Sequence, residues 1–392
     1  MNLKVFYSDP IIQWIRGAIF SFVFVGVYGI NLPFVQKWLK DLGFNYTMIG
    51  VIIAIAMICG ALASPFFANL TDKIGRPKIL LVILPLIGSV SFLIISQTSY
   101  IWLDILGYII AFICFISLMP LSDNMSMHIL KRRGWPYGPM RAMGSAGFIF
   151  VVFYIAPKFT DNISEIFVYA LSIGLLCISL VALLLPDIRV EKRPPQKINP
   201  IFKSLMFTSF LTINFLLVHS HAVWMVNGTN YWGDALNFSE EQIAYIWNIG
   251  VFGEVVVMLI LGIILLRFNP IWSMLFATIC AVIRWSIFAF TENFWVILLT
   301  NSLHGFTFGL FQIAAITWVN KISPAGFSAV GISLYAATSA LATATGSLYA
   351  GYLYQQFSSK AFIFDVFYAV LSLFLVIFLL NLDKKSKVSA LV

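Results

Sequence analysis

The stretch "GVFGEVVVMLILGIIL", residues 250–265, decides the class of fold. Together with the apolar residues that precede it, this run is long enough to cross the roughly 30 Å hydrocarbon core of a bilayer as a helix. A lipid-facing strand would alternate apolar and polar residues, and this run does not. Glu254 is the only charged residue in the run, and an acid placed so deep in apolar sequence needs a physical reason.

Similar apolar runs recur along the whole chain and set its class. Of the 392 residues, 60% are hydrophobic and only 10% are charged, which excludes an ordinary water-soluble protein. We predict an all-α integral membrane protein with twelve transmembrane helices in two six-helix bundles. The predicted spans are 15–36, 47–70, 79–97, 101–126, 139–157, 165–186, 205–232, 242–266, 271–290, 295–319, 328–355 and 361–382.

A polar loop near the midpoint, "PDIRVEKRPPQKINP", separates six predicted spans from the other six. We therefore predict an N-terminal six-helix bundle at 1–187, a cytoplasmic central loop at 188–204 and a C-terminal six-helix bundle at 205–392. Transporters are commonly built from such repeats and work by rocking one half against the other around a central site. A channel would more often contain a re-entrant filter segment, and no such segment stands out.

The distribution of basic residues predicts the orientation of the chain in the membrane. With both termini cytoplasmic, 18 Lys and Arg side chains fall on the inner side and four on the outer side, while Arg141 and Arg284 remain inside spans. The net charge of +8 follows from this topology, so we expect no nucleic-acid partner. We expect a multi-pass protein of the cell inner membrane that acts as a monomer.

The loop between the second and third spans, "FFANLTDKIGRPK", resembles the cytoplasmic signature of the major facilitator superfamily. In that family an Asp and an Arg spaced by a turn latch the inward gate. The resemblance implies that Asp72, Gly75 and Arg76 form this gate. Two positions depart from the family pattern, since Ala68 replaces the usual first Gly and Pro77 replaces a second base. A generic basic inner loop that only obeys the charge rule is the alternative.

The chain is also similar, nearly from end to end, to the lactose permease-like proton symporters and even more to their phenylpropionate permease branch. The similarity rests on the order and spacing of six stretches, which are "YGINLPFVQKWLKDLG", "PLSDNMSMHIL", "YGPMRAMGS", "YIWNIGVFGEVV", "VIRW" and "LHGFTFG". It implies the major facilitator fold and a transporter whose partners are a small solute, protons and the lipid bilayer.

Three ionisable residues lie deep in successive spans of the C-terminal half: Glu254, Arg284 and His304. A charge near the bilayer centre costs about 2.5 to 3.5 kcal/mol, so such residues face a cavity or pair with each other. The resemblance assigns these three to proton coupling, and a buried ion network that only fixes helix packing is the alternative. Where the family has a proton-carrying acid three residues after the histidine, this chain has Thr307, which cannot titrate. Either coupling has moved to another acid, with Glu254 the best candidate, or the protein is a uniporter.

In the N-terminal half, Asp123 and Arg141 stand on either side of "HILKRRGWPYG". Their arrangement resembles the acid and arginine that contact substrate in the lactose permease-like family. Two roles stay open for Arg141, which either binds a substrate carboxylate with its planar fork or holds Asp123. Asp123 near the end of a span also fits an ordinary helix-end residue.

The seventh span contains "HSHAVWMVNGTNYW", which is polar and aromatic where lipid-facing sequence would be Leu and Val. This face either lines the substrate cavity or belongs to an aromatic belt at the membrane interface, and part of the first span has the same two interpretations. The residues assigned to substrate on these grounds are His221, Trp224, Asn227, Tyr28 and Asn31.

These observations favour a secondary active transporter that imports a small organic solute with a proton, an aromatic or other organic acid being favoured. Proton-coupled import of a sugar, a nucleoside or a siderophore stays open, and so does export of drugs or metabolites by proton antiport. The fifth span, "MGSAGFIFVVFYIAP", lacks the Gly-Pro-rich signature of drug antiporters, which favours import. No nucleotide-binding loop, nucleophile–base pair or metal-ligand spacing is present, so we expect no enzymatic activity, cofactor or metal.

Overall fold

Helices and the turns between them make up the described part of this computed structural model, which comprises residues 9–96, 100–131, 137–155, 158, 163–189, 204–261, 269–323 and 328–389. The apolar runs form helices because, in hydrocarbon, each backbone N–H and C=O must bond within its own segment. The predicted all-α membrane class is confirmed by these helices and by the relatives described below.

The helices of the first half follow the predicted spans closely. They are α1 Pro10–Asp41, α2 Tyr46–Ile74, α3 Pro77–Ile95, α4 Ile101–Ile116, α5 Leu118–Lys131, α6 Tyr137–Ile155 and α7 Ile163–Ala182. Helices α4 and α5 are separated only by Ser117 and together form one apolar segment.

The helices of the second half are more often interrupted. They are α8 Leu205–His219, α9 Ala222–Asn230, α10 Glu240–Val256, α11 Pro270–Phe290, α12 Phe294–Asn301, α13 Phe311–Ile322, α14 Ser328–Phe357 and α15 Phe362–Ser389. Three π-helical turns, Tyr231–Ala235, Val257–Leu261 and Gly305–Leu310, extend or join these helices, and a 3-10 turn, Ser358–Ala361, precedes α15. Single π turns inside helices often occur at functional sites.

Ten segments of the described residues are long and apolar enough to cross a membrane. One of them, Val330–Lys385, contains both α14 and α15, and Pro139–Ile155 is a further, shorter apolar helix. When α14 and α15 are counted separately and Pro139–Ile155 is added, the described segments number twelve and match the twelve predicted spans.

Local sequence signals explain where several helices begin. Asp9 precedes Pro10 at the start of α1 and accepts a hydrogen bond from the Ile11 N–H at 2.8 Å. Asn269 precedes Pro270 and caps α11 in the same way. A short acceptor followed by Pro suits the first turn, where N–H groups have no partner within the helix.

The helices group into two compact units. Unit 1 contains the described residues of 1–45, 55–193 and 239–244, and unit 2 contains those of 46–54, 194–238 and 245–392. The start of α2 belongs to unit 2 because Tyr46 donates to Asp234 at 3.2 Å and Thr47 donates to Gln355 at 2.8 Å. The predicted boundaries of the two bundles stay a prediction.

The interiors of the two units differ in polarity. In unit 1 the indole of Trp38 stacks on Phe167 at 4.9 Å and packs edge-on against Phe92. In unit 2 aromatic packing surrounds ionisable groups, since Arg284 and Asp365 are both fully buried. Buried charges persist only when other groups pair with them, so unit 2 is where a functional site is expected.

Candidate functional site

The seventh predicted span is broken in its middle. Helix α8 ends at His219, Ser220 and His221 form a turn, and α9 begins at Ala222. The Ser220 hydroxyl donates to the Leu217 carbonyl at 2.7 Å, and His221 Nδ1 lies 2.8 Å from the same carbonyl. The break leaves the first N–H groups of α9 inside the unit, where they need partners from elsewhere.

Asp365, in the first turn of α15, supplies an acceptor for this broken helix. Its Oδ1 accepts the Val223 N–H at 3.4 Å, and the Trp224 N–H also faces the carboxylate. The Arg284 guanidinium lies near the same end of α9, with its Cζ 4.5 Å from the Trp224 ring centroid. A carboxylate at a helix N-terminus is stabilised by the unpaired N–H groups and by the helix dipole.

Arg284, in α11, is the cationic centre of the site and is fully buried. Its Nη2 donates to Asn301 Oδ1 at 2.6 Å, and its Nη1 lies 3.3 Å from Thr307 Oγ1 and 3.2 Å from His304 Nδ1. A guanidinium only donates, so His304 Nδ1 must accept, which leaves the imidazole neutral with its proton on Nε2.

Thr307 connects Arg284 to a second histidine. His221 Nε2 lies 3.2 Å from Thr307 Oγ1, and the carbonyl of Leu217 can only accept from His221 Nδ1. The Thr307 hydrogen goes either to His221 Nε2 or to the His304 carbonyl at 3.4 Å. A cationic His221 beside Arg284 is unfavourable, so the geometry favours neutral His221 accepting from Thr307.

Aromatic rings enclose the guanidinium. The Cζ atom of Arg284 lies 4.5 Å from the ring centroid of Trp224 and 4.3 Å from that of Trp285. Trp224 in turn packs against Trp247 at 4.7 Å and against His304 at 5.1 Å. Indole faces attract a cation, most strongly when water is excluded, so the rings help to stabilise the buried charge.

Glu254 lies near the end of α10, immediately before the π turn Val257–Leu261, and only 5% of its surface is exposed. It packs against the π turn Gly305–Leu310, where a Cβ on Gly309 would come within 3.2 Å of Glu254 Cγ. The hydrogen bonds of Arg284 to described residues go to Asn301, Thr307 and His304. The expected pairing of Glu254 with Arg284 stays a prediction.

Glycines allow α10 to approach this π turn at backbone distance. A Cβ on Gly305 would overlap the Gly253 carbonyl oxygen and lie 3.0 Å from the Glu254 nitrogen. A Cβ on Gly253 would lie 2.6 Å from the Ser302 carbonyl oxygen. Since these obstacles are backbone atoms, a side chain at either position forces the two segments apart.

We expect Gly305→Ala to lower the melting temperature and to impair transport, because the added methyl group moves Glu254 away from the π turn. Overpacking of this kind costs about 1–3 kcal/mol. Gly228→Ala is the matched control, since its Cβ meets nothing closer than 3.4 Å. Melting temperature and solute exchange are measured for both variants, and an unaffected Gly305→Ala protein would contradict the close approach.

The substrate residues predicted in unit 1 lie on three helices. Asn31, in α1, is buried and its Oδ1 accepts from the Tyr108 hydroxyl at 3.1 Å, while Tyr28 stacks on Phe115 at 6.0 Å. Asp123 is exposed on α5, and Arg141 is half-buried on α6. Their assignment to substrate stays a prediction.

Asn227, one turn beyond Trp224 in α9, points toward another helix. It is fully buried and its Nδ2 donates to the Ala350 carbonyl of α14 at 3.3 Å. This contact packs α9 against α14, and a substrate role for Asn227 stays a prediction. Among the described residues no group of three or more His, Cys, Asp or Glu side chains is arranged to hold a metal ion.

The predicted gate residues lie at the junction of α2 and α3. Gly75 has a φ of 71°, a left-handed conformation that favours glycine. Arg76 pairs with Asp187 at 3.8 Å, and the Lys78 ammonium donates to the Leu183 carbonyl near the end of α7 at 2.7 Å. The side chain of Asp72 lies outside the described residues, so its part in the gate stays a prediction.

The structure thus brings together four of the predicted residues, which are His221, Trp224, Arg284 and His304. Three further residues of this network were absent from the predicted site or appeared in it only as a departure. They are Asn301, Thr307 and Asp365. The sequence signals of Asn301 and Asp365 are weak. Asn301 is a polar residue three positions before His304, and Asp365 is an acid near the end of a predicted span.

Comparisons with known proteins place this geometry in a family. The MFS_1 like family matches residues 14–366. A probable 3-phenylpropionic acid transporter of Escherichia coli (strain K12) is 26% identical over 370 residues, which cover 89% of this chain and 93% of that protein. Maltose permease of Geobacillus stearothermophilus is 23% identical over 386 residues, 94% of each chain. The crystal structure of a variant of the nucleoside transporter NupG matches with a TM-score of 0.82 at 17% identity, covering 94% of this chain and 99% of that one.

The similarity to NupG shows the fold alone, whereas the family match extends over most of the chain and includes the whole buried network. The chain therefore belongs to the MFS_1 like family of the major facilitator superfamily, and it is a multi-pass membrane protein and a secondary transporter, not an enzyme.

Proposed function

We propose that this transporter imports a small organic acid together with a proton by alternating access. The observation that carries the proposal is the fully buried Arg284 in a unit that buries Glu254 and Asp365 as well. A third buried acid, Asp383, pairs with Lys321 at 4.0 Å and is left out of this set. The neutral histidines add no charge to this set. One cation and two ionised acids leave a net negative charge, and desolvation makes such a charge costly.

Binding of one proton makes this buried set neutral. A site that is stable with a bound proton and costly without one is suited to coupling, because its charge changes when the proton leaves. Glu254 is the proposed carrier of that proton. It lies beside two π turns, whose irregular helical geometry offers a place for small rearrangements.

Two features support an organic acid as the solute. A probable 3-phenylpropionic acid transporter is among the relatives that match nearly full length. Arg141 and Arg284 also lie at membrane depth in the two halves of the sequence, and a guanidinium can bind a carboxylate through two parallel hydrogen bonds. We propose that Asp123, Tyr28, Asn31, His221, Trp224 and Asn227 complete the substrate site.

A neutral solute is the second candidate, because maltose permease matches 94% of the chain. The test compares 3-phenylpropionate, maltose and uridine as probes on the purified transporter. A ligand that binds the native state raises the melting temperature, and proteoliposomes with an acidic exterior then show whether that ligand accumulates. Accumulation of 3-phenylpropionate supports the proposal, and accumulation of maltose or uridine alone contradicts it. Efflux driven by an inward proton gradient would instead identify an antiporter.

We also propose that Asp72, Gly75 and Arg76 act as a cytoplasmic gate in a monomer whose two termini lie in the cytoplasm. Asp72→Asn is expected to increase the cytoplasmic accessibility of the site and leave ligand affinity within about twofold, since the gate contacts no ligand. Labelling of engineered cysteines on each face measures accessibility, with Asp187→Asn as a companion variant. Unchanged labelling on both faces would count against the gate.

A further inference from the structure

We propose that Asp365 is the permanent counter-charge of Arg284, a positioning residue that ties the guanidinium to the broken seventh span and leaves Glu254 as the acid that takes up the coupled proton. The proximity of Asp365 and Arg284 rests on the structure alone, and their pairing is the proposal. The consequence for Glu254 rests on the proposed function.

The first support is the burial of Asp365 within the first turn of a membrane helix. Its side chain is fully buried, and its Oδ1 accepts the Val223 N–H of α9. Backbone donors at a helix N-terminus favour the ionised carboxylate over the protonated acid. Burial of Asp365 opposes its ionisation, and the backbone donors of α9 together with the nearby Arg284 are the groups that offset this cost.

The second support is that Asp365 and Arg284 leave complementary atoms unused. Among the described residues, Arg284 Nε is buried without a hydrogen-bond acceptor, and Asp365 Oδ2 is buried without a donor. Both side chains adjoin the same end of α9, Asp365 through the Val223 N–H at 3.4 Å and Arg284 with its Cζ 4.5 Å from the Trp224 ring centroid. Phe362, one turn before Asp365, stacks parallel to Trp285, the ring beside the guanidinium, at 6.2 Å. The acid and the arginine are thus held near each other by the packing of α15 on α11.

Tyr and His side chains near Asp365 are uncharged, so Arg284 is the cation that can balance this carboxylate. From α14 the Tyr349 ring lies near the carboxylate, and Tyr368 on α15 packs edge-on against His219 of α8 at 4.4 Å. His219 Nδ1 is already bonded to the Ala342 carbonyl at 3.0 Å. These neighbours are uncharged in their ordinary states, so they do not neutralise Asp365.

Glu254 differs from Asp365 in its surroundings. It lies in the last turn of α10, away from any helix N-terminus, and it packs against the π turn Gly305–Leu310. If Asp365 supplies the negative charge that Arg284 requires, the proton that the proposed function assigns to Glu254 can leave and return while Arg284 keeps its counter-charge.

The test is a double-mutant cycle on the purified full-length transporter with Asp365→Asn, Arg284→Gln and both together. Asparagine keeps an acceptor for the Val223 N–H and removes only the charge. Each single variant leaves one buried charge without its partner, so we expect each to lower the melting temperature by about 5 °C or more. The decrease in melting temperature of the double variant is expected to be smaller than the decreases of the two single variants added together.

Asp104→Asn is the matched control, because Asp104 also lies in the first turn of an apolar helix but belongs to unit 1. We expect its effect to be small and to add to that of Arg284→Gln. If the cycle for Asp365 is additive too, the pair does not exist and the proposal is overturned. If a single variant cannot be purified, folded protein in the membrane is measured with a C-terminal fluorescent fusion. Recovery in the double variant supports the pair, and equal loss contradicts it.

Transport separates this inference from the proposed function. In Asp365→Asn, Glu254 has to stay ionised to balance Arg284, so uptake of the coupled proton is lost, and with it the accumulation of solute driven by a pH gradient. A wild-type protein that accumulates no organic acid would contradict the proposed function. The double-mutant cycle in melting temperature would then still test the pairing of Asp365 with Arg284. An Asp365→Asn protein that accumulates solute like the wild type would overturn the assignment of the permanent charge to Asp365.

Discussion

Glu254→Gln is expected to abolish accumulation of solute driven by a pH gradient and to preserve exchange of solute across the membrane. Glutamine resembles the protonated acid and cannot release a proton. Exchange moves no net proton, so a transporter locked in the protonated form can still perform it. Net uptake coupled to the gradient requires that the proton leave, and this step is lost.

The size of the effect follows from the energy in the gradient. One pH unit is worth about 1.4 kcal/mol per proton, which supports tenfold accumulation when one proton enters with one solute. The accumulation ratio of the Glu254→Gln transporter should fall to about one, its value without coupling. Accumulation and exchange are both measured with labelled solute in proteoliposomes, using two or more pH differences.

Glu241→Gln is the matched control, since Glu241 is an exposed acid in the first turn of the same helix, α10. It should retain the full pH-driven accumulation. A Glu254→Gln protein that accumulates solute with the parent pH dependence would show that the proton travels elsewhere. Asp123 and Asp365 would then be the next acids to replace.

The fold was predictable from the sequence because membranes leave few choices. Continuous apolar runs have to be helices. Their division into two sets of six by the polar midpoint loop stays a prediction. Interruptions were harder to predict. The break at Ser220 and His221 costs hydrogen bonds that hydropathy does not register, and only contacts from α15 show how the broken end is satisfied.

Site residues were predictable from the sequence where their ionisable side chains are costly to place in hydrocarbon. Arg284 and His304 stood out for this reason, and the structure places them 3.2 Å apart. Asp365 did not stand out, because it lies four residues into the last predicted span, where an acid is ordinary. Its partners come from α9 and α11, and such long-range proximity leaves no pattern in one sequence. Thr307 was predicted as a lost proton carrier, and its position between Arg284 and His221 needed coordinates.

Arg284→Lys is expected to weaken ligand binding by roughly 100-fold or more, even though the positive charge is kept. The guanidinium makes directed contacts with Asn301, Thr307 and His304, and its Cζ atom lies within 4.5 Å of two indole ring centroids. An ammonium is a compact point charge on a flexible stem, so it cannot reproduce these contacts together.

The arginine is fully buried in this conformation, so it acts on the ligand in one of two ways. Either the ligand reaches the guanidinium in another state of the cycle, or Arg284 positions His304 and Trp224 for it. Both ways require the planar fork, and both predict the loss of affinity. Dissociation constants from ligand-induced shifts in melting temperature separate this effect from a loss of stability, because they are obtained only from folded protein. Arg141→Lys is tested in parallel, because Arg141 is the arginine of unit 1 that lies within a predicted span. Unaltered affinity in both variants would contradict the proposal that arginines hold an anionic solute.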